Sequence, residues 1–361
     1  MIKIANYNDV LEANLTGPFD KAITNTLYGL NYSMENPPLP SELYGQSRIF
    51  FTRPMLNLTD MNILNAREMY SLMNKNPYSM ERYVRAMLDP RLQYNLTGKF
   101  TELKNGNNSA IFNNQIADSP LMDRYQGFLP LLSNTILSLS GIPDVVVPHA
   151  TTTAGVRREQ HAMVDGIYEV NDVYEVTATF RNIRTGVLPF LFQTWVMYES
   201  MVFEGKLVPY IDFILENEID YNTRFYILIM DRTGKYVSQI FAPGAAFPIS
   251  IPLGKYFDFN RSEVTKDNNK TLDIRFVCMG GMYNDPRLKH EFNMAQCIFN
   301  PYLRKYYIEG EKDYMIEVDE HLLKYFNYRA YPLIDIDTNE LKWLIPKDSK
   351  KLLRLVEKGS L

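Results

Sequence analysis

From Leu188 to Phe203 the chain reads apolar on nearly every face of a helix, broken only by Gln193, Thr194, Glu199 and Ser200. Pro189 suits the first turn of such a helix, and Gly205 suits its end, so one helix is expected over residues 188–204. The stretch is too short for a bilayer span and is interrupted by polar groups. A helix apolar all round must be covered by protein on most sides. The remaining sequence has to supply that cover, or neighbouring subunits do. With 361 residues the chain is long enough to bury a core without disulfides or metal, and its length suggests two or three domains.

Strand patterns flank the helix. Tyr174, Val176, Ala178 and Phe180 alternate with Glu175, Thr177, Thr179 and Arg181, which predicts a strand with one wet face. Leu272, Ile274, Phe276 and Cys278 alternate with Asp273, Arg275 and Val277 in the same way. Residues 224–230 are apolar on both faces, and Asp231-Arg232-Thr233-Gly234 turns them back through 235–241 as a hairpin. Pro243, Pro248 and Pro252 break the sheet pattern and hold the chain extended. Residues 331–336 and 340–345, joined by Asp337-Thr338-Asn339, predict a late hairpin, and 349–358 a short amphipathic terminal helix. The fold class this implies is α+β, mainly antiparallel β.

The first third is less regular. Asn36-Pro37-Pro38 and Pro40 favour extended geometry within 32–45. Thr59 or Asp60 is placed to cap a helix running to about Met73, with Leu64, Met69 and Leu72 among its apolar positions. Ser79 caps a second, in which Met80, Tyr83, Val84, Met87 and Leu88 form one apolar face before Asp89-Pro90 stops it. Residues 104–114 form a polar, Asn-rich loop, and 129–139 are mostly apolar up to Gly141-Ile142-Pro143. Asn is concentrated in the first 134 residues, and the chain carries 25 Tyr. Both suit irregular segments that make specific protein contacts, and an AT-rich genome would enrich the same residues. The divisions that follow are 1–148, an irregular and partly helical interaction region; 149–258, a central sheet-plus-helix core; and 259–361, C-terminal strands with a hairpin and short helix.

The net charge of −4, from 38 basic and 42 acidic residues, argues against a dedicated nucleic-acid binder. Arg157-Arg158 and Lys350-Lys351 are too sparse for such a footprint and read as surface or subunit-contact charges. Two cysteines exclude a disulfide scaffold. Met1 to Val10 lacks a basic segment followed by an apolar run, so no signal peptide is expected. His149 and His161 flank Thr151-Thr152-Thr153-Ala154-Gly155, with Glu159 and Asp165 nearby, but the spacing matches no ligand motif. His290 and His321 are isolated. Cys278 lies on the inward face of a strand, and neither it nor Cys297 has an activating base in view. Met279-Gly280-Gly281-Met282 follows a strand without a phosphate-loop pattern. Glu216, Glu218 and Asp220 alternate along the chain and are expected to share a solvated acidic edge, with a cation site or a glycosidase pair as the chemical alternative. No catalytic residue, cofactor site or metal site is expected.

Two stretches carry a resemblance. Arg48-Ile49-Phe50-Phe51-Thr52-Arg53-Pro54-Met55-Leu56-Asn57-Leu58 resembles a phrase of virion structural proteins from large tailed bacteriophages. From Ala150 through Lys255, the order of Thr-rich lead, strand, helix after Gly186, Pro209-Tyr210, Asp220-Tyr221 and hairpin is similar to contractile-phage tail-tube and baseplate-tube proteins. The resemblance implies a tube-like β-sandwich or barrel segment with one packed helix. It further implies a ring, expected as a homo-hexamer, bound to adjacent tail-tube, baseplate or neck proteins. DNA would pass in transit only, without specific binding, and there would be no membrane partner. The expected place is the virion, with assembly in the bacterial host cytoplasm. The expected role is structural and not enzymatic: a tail tube-end or baseplate-tube protein that mediates assembly and lines or extends the DNA channel. The long N-terminal region exceeds what a plain tube subunit needs, which favours a specialised ring. The alternatives are a neck, head-completion or capsid-associated protein, and a carbohydrate-binding or glycan-hydrolysing module. Since one chain would struggle to hide the apolar helix, the two-faced strand and the irregular first third, symmetric neighbours are expected to cover them.

Overall fold

The computed structural model describes residues 46–93, 119–166, 172–183, 185–231, 233–254 and 270–347. The expected extended segment at 32–45, the Asn-rich loop at 104–114 and the terminal helix at 349–358 lie outside them. Strand β1 (Ser47–Phe51) opens the fold, followed by helix α1 (Asp60–Ile63), a 3-10 turn (Arg67–Met73) and α2 (Met80–Leu88). Helix α3 (Pro130–Thr135) runs into β2 (Ile136–Ser140), and a hairpin of β3 (His149–Thr151) and β4 (Ala162–Val164) leads to β5 (Val173–Arg181). The apolar helix is α4 (Val187–Phe203), and a short α5 (Ile211–Glu216) follows. Next come β6 (Phe225–Met230), β7 (Val237–Ala242), β8 (Ala245–Ser250), β9 (Thr271–Met279) and β10 (Met282–Tyr283). Helices α6 (Pro286–Cys297) and α7 (Pro301–Tyr307) precede β11 (Met315–Glu317), a 3-10 turn (Glu320–Phe326), β12 (Tyr331–Ile334) and β13 (Leu341–Pro346).

Two four-stranded sheets dominate, ordered β1-β6-β7-β10 and β2-β5-β9-β8, with a three-stranded sheet β11-β13-β12 beside them. Their pairings are antiparallel, so the mainly antiparallel α+β class read from the sequence holds, and among the described residues no sheet closes into a barrel. The pairings β1–β6 and β2–β5 join strands from either side of residue 148, and β8–β9 joins strands from either side of residue 258.

The alternation in β5 and β9 produces one buried face. Val176 opposes Phe276, Ala178 opposes Ile274 and Phe180 opposes Leu272, all fully or almost fully buried. That face meets Phe51, Phe225 and the α4 side chains Phe192 and Trp195 in one core. The rings interlock: Phe51 lies 5.7 Å from Phe225, 5.9 Å from Phe180 and 6.0 Å from Phe276, and Phe192 lies 5.4 Å from Phe180. The opposite face of β6 feeds a second core, where Tyr226, Leu228 and Met230 join Phe50, Phe128 and Phe292. Phe50 and Phe51 are sequence neighbours, so the period-2 geometry of a strand sends them to opposite faces. β1 is thereby clamped between both cores. Gly127 has no side chain for a packing reason: a Cβ there would meet the Ala295 carbonyl oxygen at 2.5 Å.

Three expectations change. First, α4 is covered by its own chain. Leu188, Leu191, Phe192, Trp195 and Tyr198 are all fully buried, packed with the sheets on one side and with Leu56, Leu58, Ile63 and Val84 on the other. On β6 the face of Tyr226, Leu228 and Met230 is hidden within the chain, while on the other Phe225 is buried, Ile227 half-buried and Ile229 exposed. Neighbouring subunits are not needed to cover the core face of α4 or the inner face of β6.

Second, the helix from Thr59 to Met73 is two pieces. Ala66 is extended and buried, and Thr59 makes no cap, its Oγ1 donating to Asn57 Oδ1 at 2.9 Å. The buried Arg85 reaches both pieces, its Nε donating to the Leu58 carbonyl at 2.8 Å and its Nη2 pairing with Asp60 at 2.7 Å, while its Nη1 donates to the Leu72 carbonyl at 3.3 Å. Third, Pro248 does not end the sheet. It sits in β8, an outermost strand of its sheet opposite Phe276, where a missing N–H is tolerated.

Candidate assembly interface

The residues weighed for chemistry do not converge. His149 opens β3 and His161 just precedes β4; both are exposed, with the Thr152 N–H donating to the His161 carbonyl at 2.9 Å. His290 Nδ1 shares a hydrogen bond with the Tyr307 hydroxyl at 2.9 Å, and His321 stands exposed in a 3-10 turn. Cys278 and Cys297 are buried, and burial pushes both thiols up to about 12, far from a reactive thiolate. The Gly280-Gly281 pair turns β9 into β10, with the Gly280 N–H donating to the Asp172 carbonyl. No group of three His, Cys, Asp or Glu side chains among the described residues could hold a metal ion.

The acidic edge is a correction. Glu216 and Glu218 are exposed, but Asp220 is only 2% exposed and turns inward. Glu216 ends α5 and Asn217 takes a left-handed conformation, so the segment is not extended and the three carboxylates do not share a face. Asp220 accepts a hydrogen bond from the Tyr198 hydroxyl, which in turn accepts from the Asn57 N–H at 3.1 Å. Burial is the main cause that pushes the Asp220 carboxyl up, to about 6. Glu199 is pushed up to about 9, by burial and then by the Asp220 charge. Asp89, fully buried at the end of α2, accepts from the Leu58 N–H and the Tyr210 hydroxyl, both at 2.8 Å. These buried acids tie residues 55–91 to α4 and to the segment after it. Perturbed carboxylates are also what an active site would show, but Asp89, Tyr198 and Asp220 are closed to solvent. This network leaves no mark in the residue order, because its members are scattered from Asn57 to Asp220.

What the molecule does present is surface built for contact. Between Gly141 and Gly166 no residue is buried, and Val145, Val146, Val147, Val156, Met163 and Val164 are all exposed. Two short strands of three residues hold this hairpin, and an isolated two-stranded hairpin is marginal in water. Its tip is a turn in which the Arg158 N–H donates to the Gly155 carbonyl at 2.9 Å. The adjoining β2 is an edge strand with Leu137 exposed.

A second surface lies at α5. Its inner side is fixed by Arg91, which forks onto Asp212 at 2.6 and 2.8 Å and lies over the rings of Tyr210 and Phe213. Ile211, Ile214 and Leu215 occupy the outer face at i, i+3 and i+4, and all are exposed. Phe203, at the end of α4, is 94% exposed. Helix α5 has no counterpart among the elements expected from the sequence. Its signal was the apolar spacing between Pro209 and Asn217, too brief to stand out.

No helix among the described residues is long and apolar enough to cross a membrane. No curated protein matches the sequence. Similar solved structures include the tube-terminating cap of the anti-feeding prophage, at 12% identity and TM-score 0.26 over 44% of this chain and 81% of that one. Two come from an extracellular contractile injection system in its extended state. One is the sheath/tube terminator (12% identity, TM-score 0.24, 44% of this chain and 87% of that one), the other the sheath–tube complex (14%, 0.24, 44% and 82%). The family whose model matches is described as "Putative phage tail tube protein", and the match runs over residues 5–361, nearly the whole chain. The chain therefore belongs to the phage tail tube protein family.

Proposed function

We propose that this chain is a ring-forming subunit at the end of a phage tail tube or within the baseplate tube, mediating assembly and lining or extending the DNA channel. The observation that carries the reading is the β3–β4 hairpin, a well-formed element with no buried residue from Gly141 to Gly166 and an apolar surface that needs a partner. Closed rings, with a homo-hexamer the expected form, would cover it and leave no free sheet edge at β2. The outer face of the β5–β9 pair suits a channel wall. Arg275 lies 3.6 Å from Glu175, and with Arg181 and Asp273 the face carries two charges of each sign. Such a wall gives a passing polyanion little to adhere to.

In this reading the protein is a virion component without turnover, and its partners are further copies and the adjacent tail proteins. Electron microscopy of the purified chain is expected to show annular particles with a central hole, and labelled antibody is expected to decorate one end of the tail tube. A protein that stays monomeric at every concentration and is missing from purified tails would refute the proposal.

A further inference from the structure

We propose that the tip of the β3–β4 hairpin of one copy docks on the outer face of α5 of the next copy. This rests on the tube-subunit reading and names the contact that would build it. Charge is the first argument. Arg157 and Arg158 stand exposed at the hairpin tip, and no described residue forms a salt bridge with either. Glu216 and Glu218, beside the α5 face, are exposed and equally unpaired. Some other surface charges do find a partner within the chain, as Arg48 does with Glu320 and Arg224 with Glu291. Two adjacent free cations and two nearby free anions on one protein are complementary between copies.

Shape and apolarity are the second argument. Val156 precedes the two arginines and is fully exposed, a single apolar side chain at the apex of a narrow element. The α5 face offers the matching ground in Ile211, Ile214 and Leu215, on a helix whose other side is already locked by Arg91. An apolar centre ringed by opposite charges is the anatomy of a specific interface.

The two surfaces belong to different parts of the chain, so the contact is head-to-tail. Such a contact continues from copy to copy and gives either a closed ring or a filament.

The test uses the full chain, with assembly followed by sedimentation and electron microscopy. Arg157→Glu with Arg158→Glu is expected to raise the concentration needed for assembly by about tenfold or more, and so is Glu216→Arg with Glu218→Arg. All four changes in one chain are expected to restore assembly. Val156→Cys with Leu215→Cys is expected to give disulfides between chains on oxidation, the buried Cys278 and Cys297 contributing none. All the positions are exposed, and unchanged thermal melts of the variants would show that the fold is intact. Wild-type assembly with charge variants that behave like wild type, or that fail without rescue and without cross-linking, overturns this contact and leaves the tube reading standing. Disulfides confined to one chain overturn it too, as does a Leu215→Cys thiol that stays open to maleimide in assembled particles. A wild-type chain that neither assembles nor occurs in tails removes the contact together with the tube reading.

Discussion

Glu199 sits on α4 with its Oε1 buried and without a hydrogen-bond partner, close enough to Asp220 to feel its charge. Its carboxyl is held near 9 against an ordinary 4.5, and that of Asp220 near 6 against an ordinary 3.8. Both values are raised on folding, so the folded chain binds these protons more tightly than the unfolded one. The stability they confer is complete below the unfolded values and is lost as pH rises through the folded ones. Thermal stability is therefore expected to decline between about pH 4.5 and 9. Glu199→Gln keeps the shape and removes the proton. It should flatten that decline and stabilise the protein by about 1–2 kcal/mol at the alkaline end, a figure kept small because Glu199 retains some contact with water. Melting curves across pH for the two proteins check this, and an unchanged slope in the variant would contradict it. Nothing in the residue order marks Glu199 as special. It looked like a polar break in an apolar run, and its partner lies beyond a helix and two turns.

At the scale of elements, legibility followed the length and regularity of the pattern. Helix α4 was readable because its apolar run is long and carries Pro189 and Gly205 at its ends, and β5 and β9 because nine-residue strands alternate throughout. The break at Ala66 was not, because it goes with Arg85 reaching back from α2 to the Leu58 carbonyl and Asp60 on one side of it and to the Leu72 carbonyl on the other. Pro248 misled for the complementary reason: a proline reads as a stop unless the strand's place in the sheet is known, and β8 is outermost. The exposed faces of the hairpin and α5 were hidden because apolar residues in short segments look the same whether buried or bare. Trp195 is fully buried, and its Nε1 donates to the Tyr221 carbonyl at 2.9 Å. Trp195→Ala is expected to destabilise by about 3–5 kcal/mol, through lost burial and the cavity left between α4 and the sheets. Denaturant titration measures it, and a cost below about 1 kcal/mol would contradict the packing described. The Ser79 cap, with its Oγ accepting from the Arg82 N–H at 3.2 Å, should cost about 1 kcal/mol when changed to Ala.

The whole molecule divides into a closed body and bare contact surfaces. Amides of β5, β6 and β9 are expected to resist hydrogen exchange in the free subunit and in the particle alike. Those of residues 141–166 should exchange quickly when free and slow in the particle, since their only ladder is the short β3–β4 pair. Protection of that segment in the free chain would contradict it. Within the body, β1 has a consequence for how the molecule comes apart. Phe50 is a member of one core and Phe51 of the other, on adjacent residues of a strand hydrogen-bonded along its length to β6, which itself serves both. Neither core can melt without dragging the strand that completes its companion. Heating should thus produce one calorimetric peak whose enthalpy matches its van't Hoff value, and Phe50→Ala and Phe51→Ala should each shift that single peak rather than split it. Among the described residues the two main cores thus share one strand, so in the proposed tube a load along the axis is expected to part the contacts between copies before it parts these cores.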